Sequence, residues 1–131
     1  MEVREAVEAD AGRLATLADA PADTMRNLVH DRTVRVAEDA GEIVGFVSFD
    51  AKRDAVHVTQ FDGTSETAAR LLDEPARFAR SEGMAAEVLV EESRSELQRA
   101  ATAAGFERAG PGPRFEGAPT IKYRLEPPVE R

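Results

Sequence analysis

The apolar positions change period several times along the chain, and each change marks the edge of an element. From Val56 the segment VHVTQF alternates as a strand does, and DGTS, containing Gly63, interrupts it. Beyond the turn Ala68, Leu71, Leu72, Pro75 and Phe78 recur mostly at spacings of three and four, as on a helix with one buried face. Thr64 and Ser65 stand where that helix needs its N-cap. Upstream, Glu2 to Val7 reads as a short strand, and Asp10 is placed to cap a first helix carrying Leu14, Leu17 and Ala18, with Pro21 at its end. Asp23 is placed to cap a second helix whose buried side carries Met25, Leu28 and Val29. His30 falls near its end, at a surface or dipole-facing position.

Between these helices and the Val56 strand, TVRVAE alternates with Val34 and Val36 on one face, and DAGE supplies turn residues. IVGFVSF is almost continuously apolar, which suits a central strand covered on both faces. A turn from Asp50 to Asp54 leads back to Val56. Downstream, Ala85 to Glu91 reads as a strand. Ser93 and Glu96 then form an S-x-x-E capping box ahead of a helix packed through Leu97, Ala100, Ala101 and Ala104, which Gly105 and Phe106 stop as C′ and C″. GPGPRFEGAP, from Gly110 to Pro119, reads as a mobile loop without regular structure before the strand TIKYRL. Three antiparallel strands, then helix, strand, helix and two strands describe a mixed α/β sheet with helices on either side.

Composition narrows the function classes. At 131 residues the chain is expected to form a single domain over 1–131. Without cysteine it has no disulfide, no thiolate nucleophile and no cysteine metal site, and His30 and His57, the two histidines, argue against zinc. A net charge of −8 argues against nucleic acid or an anionic membrane as partner, because both need a basic patch. No apolar run approaches a membrane span, and MEVREAVEAD lacks the basic flank and apolar core of a signal peptide, so a cytoplasmic protein is expected. Lys52 and Lys122 are the only lysines. An acidic chain so poor in lysine resembles proteins of salt-accumulating, halophilic cytoplasms; an ordinary acidic cytosolic protein is the plainer alternative.

The Val56–Gly83 stretch carries the first chemical signal. A strand running into a helix presents N–H groups that have no partner within the helix, at the positive end of its dipole, and such a turn can hold a phosphate. Strand-turn-helix junctions without ligands have the same pattern.

The order of segments adds specificity. VREAVEAD, VAEDAGEIVGFVSF, LLDEPARFARSEGMAAEVLV and SELQRAATAAGFERAG together resemble the GNAT superfamily of N-acetyltransferases over about residues 2 to 125. The resemblance implies an α+β fold with a mixed, mostly antiparallel, splayed sheet of six to seven strands and helices on both faces. It implies acetyl-CoA as co-substrate, inserted where the fourth and fifth strands part beside Thr59 and Leu89. The backbone of Val58, Thr59 and Gln60 would hold the thioester and pantetheine, and the turn and helix start at Gly63, Thr64, Ser65, Thr67 and Ala68 would hold the diphosphate. Ala18 to Thr24 and Gly110 to Pro119 would line the acceptor groove. The partners implied are acetyl-CoA and an amine acceptor, and a homodimer stays open.

The chain also departs from the family pattern. The Q/RxxGxG/A turn aligns with Gly63 to Ala68, which puts Glu66 where glycine lets backbone approach phosphate. A carboxylate facing the diphosphate there would weaken binding at low salt. The family's tyrosine acid falls at Ala101 and its asparagine at Arg94, a residue that could instead hold phosphate. Acetyl transfer to an amine still needs a base and often an acid for the thiolate. His57, with a strand face shared by Ala55, Thr59 and Phe61, and Glu87 are candidate bases; Tyr123, the only tyrosine, is the candidate acid. Each has a structural reading: a satisfied histidine, a solvated strand face and a packing aromatic. Two function classes follow: an N-acetyltransferase for a primary amine, or a catalytically degenerate relative that senses acyl-CoA or binds protein.

Overall fold

The computed structural model describes residues 1–53 and 55–128. Its strands are β1 (Glu2–Glu5), β2 (Thr33–Asp39), β3 (Glu42–Lys52), β4 (Ala55–Asp62), β5 (Ala85–Glu91), β6 (Glu107–Pro111) and β7 (Thr120–Leu125). Its α-helices are α1 (Ala11–Ala18), α2 (Ala22–Asp31), α3 (Ser65–Glu82) and α4 (Ser95–Ala103), with a 3-10 turn at Glu8–Asp10. All seven strands share one sheet in the order β1-β2-β3-β4-β5-β7-β6. Only β4 and β5 run parallel, because α3 carries the chain back between them.

Helices cover both faces, as the uninterrupted apolar run of β3 requires. Val47 points into a core with Leu71, Leu72 and Ala76 of α3 and Ala100 and Ala101 of α4. Its neighbour Phe46 points the other way, among Leu14 of α1 and Met25 of α2. Burying each such leucine contributes about 1.5–3 kcal/mol. Pro75 sits inside α3 and is buried there, although it cannot donate to the Leu71 carbonyl one turn back. Phe78 is 42% exposed and not a core residue; its ring lies 6.2 Å from that of Phe49.

Helix ends bear out some expected signals and correct others. The Thr64 side chain accepts from the Thr67 N–H at 3.3 Å and caps α3. Phe106 N–H donates to the Ala101 carbonyl and Gly105 N–H to the Thr102 carbonyl, both at 3.0 Å, closing α4 as its glycine stop implied. Asp10 holds the N-cap position of α1 as expected but makes no side-chain capping bond: its carboxylate accepts the Val7 N–H at 2.8 Å and two bonds from the Arg4 guanidinium. Asp23 lies inside the first turn of α2, pairs with Arg26, and leaves Pro21 as the N-cap residue. The Ser93 box does not form, because Arg94 holds the N-cap position and takes the Glu96 carboxylate at 3.2 Å.

Two loop expectations also change. β3 runs through Asp50 to Lys52, which shortens the turn before β4; its other expected end, Asp54, lies outside the described residues. Gly110 and Pro111 belong to β6, so the loop begins only at Gly112. Among the described residues no helix is long and apolar enough to cross a membrane, and no three His, Asp or Glu side chains gather as a metal site.

Candidate active site

A bulge in β4 and the parting of β4 from β5 create the site. The β3–β4 ladder pairs Phe49 with Val58 and Ser48 with Gln60, skipping Thr59. The β4–β5 ladder runs from Ala55↔Ala85 to Val58↔Val88 and stops, while β5 continues along β7 as far as Glu91↔Thr120. Thr59 therefore has no ladder partner on either side, and from this point β4 has no strand beside it on the β5 side. The Thr59 hydroxyl donates to the Ser48 carbonyl at 3.2 Å and lies 2.5 Å from the buried Ser48 hydroxyl, which fixes the bulge from beneath. The extra residue also reverses the alternation beyond it. Phe61 packs with the α3-side core of Val56 and Val58, whereas simple alternation puts it with His57.

The parted strands open a cavity of ≈ 840 Å³. Val58 to Asp62 form one wall, and Leu89, Val90 and Glu91 the other. Ala18, Asp19, Ala20 and Thr24 contribute from the α1–α2 turn. Pro113 to Glu116 reach in from the β6–β7 loop, so both segments expected to line a groove do so. That loop is tied down: Phe115 and Ala118 exchange two backbone bonds of 2.9 Å, and Thr120 Oγ1 donates to the Pro113 carbonyl at 2.6 Å. Glu116 and Gly117 both take positive φ, the geometry of a tight hairpin turn, and Phe115 is left 63% exposed at the cavity.

At the mouth, Gly63 links β4 to α3 with φ +144, a backbone region open to glycine and strained for other residues. Gly45 of β3 sets how closely this turn approaches: a Cβ there would lie 2.8 Å from the Asp62 carbonyl oxygen and 2.9 Å from the Thr67 methyl. Ahead of the first helical bond, Ala68 N–H to the Thr64 carbonyl at 2.8 Å, the N–H groups of Ser65 and Glu66 are ones that α3 cannot satisfy. Glu66 is exposed and does not line the cavity.

Next to this turn the carboxylate that lines the cavity is Asp62. Its Oδ1 accepts the Gly63 N–H at 2.8 Å and Arg94 Nη2 at 3.0 Å. Arg94 is held from its other side by Glu96. Burial draws the Arg94 pKa down, and hydrogen bonds and charge from Asp62 and Glu96 more than offset this, so the guanidinium is raised above its ordinary value.

Among the residues singled out from sequence, Val58, Thr59, Gln60 and Arg94 line the cavity. Gly63, Thr64 and Ser65 form the turn beside it, with Thr67 and Ala68 buried beneath. His57, Glu87 and Tyr123 are not brought into it. His57 Nδ1 lies 3.6 Å from Glu87 Oε1 in the paired half of the sheet, and Glu87 is also bound by Arg124 across the β5–β7 register. Tyr123 is buried under α4, where its hydroxyl donates to Gln98 Oε1 at 3.3 Å. Asp62 and Glu91 were missed. An aspartate directly before a turn glycine is the signal that marks Asp62; nothing in the sequence separates Glu91 from the other acidic residues.

No family model matches the sequence, and neither does any curated protein. Solved structures do match in shape. A ribosomal-protein-alanine N-acetyltransferase from Brucella melitensis superposes with TM-score 0.78 at 17% identity, covering 96% of this chain and 99% of that one. The yncA protein of Salmonella typhimurium, solved with its cofactor acetyl-CoA, gives 0.78 at 17% identity over 100% of this chain and 96% of the other. The ribosomal-protein-S18-alanine N-acetyltransferase of Escherichia coli gives 0.78 at 11%, over 99% and 96%.

Proposed function

We propose that this chain, which has the fold of the GNAT N-acetyltransferases, transfers an acetyl group from acetyl-CoA to a primary amine. The observation that carries this reading is Thr59, unpaired on both sides at the point where β4 and β5 part over the cavity. An extended amide-bearing arm can continue the sheet there, pairing as a strand would along the edge of β4 that β5 leaves open at Thr59 and Gln60. The turn from Gly63 through Thr64 and Ser65, underpinned by Thr67 and Ala68, faces the diphosphate, with Arg94 as its cation.

The bound co-substrate supplies the thioester, and the chain's own groups handle position and protons. Of the carboxylates that line the cavity, we assign to Glu91, at the cleft end of β5, the task of taking the ammonium proton, directly or through one water. The β4 backbone at the bulge is the donor we assign to the thioester oxygen as it gains charge. No tyrosine reaches the cavity, so the thiolate leaves without a phenolic acid and takes its proton from solvent.

Titration with acetyl-CoA followed by thiol release with a panel of primary amines tests the reading. Binding with turnover is expected, Glu91→Gln should lower turnover by about 10²-fold, and His57→Ala by less than about tenfold. Absence of acetyl-CoA binding at millimolar concentration would sink it. Buried Ala101, standing where the family has its acid, favours a second reading, an acyl-CoA-sensing module, whose signature is binding without turnover.

A further inference from the structure

We propose that Asp62 and Arg94 form a charge latch across the mouth of the cleft, which a diphosphate-bearing ligand opens by replacing Asp62 on Arg94. The latch rests on the acetyl-CoA reading above and adds to it what controls entry. Asp62 ends β4 and Arg94 precedes α4, so their 3.0 Å contact joins the two chain segments that diverge beyond Val58 and Val88. Both residues face the cavity.

The geometry is that of a site holding its own anion. Asp62 Oδ1 engages the Gly63 N–H, in the turn before α3, and a guanidinium N–H together, the two kinds of donor that a phosphate oxygen seeks. Phosphate cannot use either donor fully while the carboxylate stays, and the two negative charges repel at close range. Glu96 holds Arg94 Nε at 3.2 Å, so the guanidinium stays in position when Asp62 swings away. The exchange needs no backbone change, because the pair is partly solvent-exposed and the aspartate side chain can turn outward. Apparent affinity then carries the cost of opening, and only ligands with charge at this turn meet it.

Calorimetric titration of the parent and Asp62→Asn with CoA and with pantetheine tests the latch, with melting curves to show that both proteins are folded. Asparagine keeps an oxygen for the Gly63 N–H and removes the charge. CoA should bind Asp62→Asn about tenfold more tightly than the parent, while pantetheine, which has the same arm and no phosphate, binds both alike. Asp62→Ser, also uncharged, should repeat the gain. Equal CoA affinity in parent and variants overturns the latch and leaves the donor reading standing. An equal gain for CoA and pantetheine also overturns it, since that means a generally loosened cleft. Failure of every protein to bind CoA overturns the donor reading, and the latch with it.

Discussion

At the scale of single residues, charge pairs decide more than local propensity does. The Arg4 guanidinium holds the Asp10 carboxyl below its ordinary value, against the opposing effect of burial and with help from the Val7 N–H. A folded-state pKa below the unfolded one means that Asp10 stabilises the fold fully above about pH 3.9, and that this is lost as pH falls through the lower folded value. Asp10→Asn should therefore cost about 1–2 kcal/mol at neutral pH, with the difference from the parent vanishing in strong acid. Denaturant melts at pH 7 and pH 2 check this; a constant difference would remove the ionised pair as the cause. Asp10 also shows why residue roles were only half legible. An aspartate before an apolar helical stripe is a sound N-cap signal, but Arg4 is six positions away and the competition between them is invisible to local pattern. Ser93 failed for the same reason, since Arg94 captured the glutamate of its box. Thr64 and Gly105 have no such competitor, and their roles were readable.

At the scale of elements, periodicity placed nearly every strand and helix, because most have one face against the core, and β3, buried on both, reads as a continuous apolar run. What periodicity could not carry is the bulge. It depends on the Ser48–Thr59 contact between two strands, and it turns Phe61 to the opposite face from the one alternation gives. The same limit hid His57 and Glu87, whose places follow from where pairing stops and not from their own strands. The approach of α3 to β3 is the most exacting of these contacts. A methyl group at Gly45 meets the Asp62 carbonyl and the Leu71 side chain at 2.8 and 3.0 Å, so the β4–α3 turn must move away. Gly45→Ala should lower stability by about 1–3 kcal/mol and weaken CoA binding alongside. Thermal melts and titration of that variant are the measurement; unchanged values for both would show that the turn is free to shift.

At the scale of the whole molecule, the fold was legible because seven strands, four helices and their order leave few ways to cover both faces of one sheet. The residues that face one another across the cleft were not legible from local pattern, since a cavity drawn from several separate segments has no contiguous signature. Charge acts globally. With −8 net and few lysines, the folded chain repels itself at low ionic strength. On the proposal that it works in a salt-rich cytoplasm, its melting temperature should rise by several degrees between about 0.1 and 2 M KCl, as the screening length falls below about 3 Å. A flat or falling dependence would mark it as an ordinary acidic protein.

The insertion of β7 between β5 and β6 also dictates when the site can exist during synthesis. β5 has its second edge covered only by Thr120–Leu125, and β6, made earlier, reaches the sheet only through that same strand. While the ribosome is still extending the chain, β1 to β4 can already pair in sequence, but β5 has a bare edge open to any passing strand. One wall of the cleft is thus assembled by neighbours already at hand, and the other waits for a late-emerging segment.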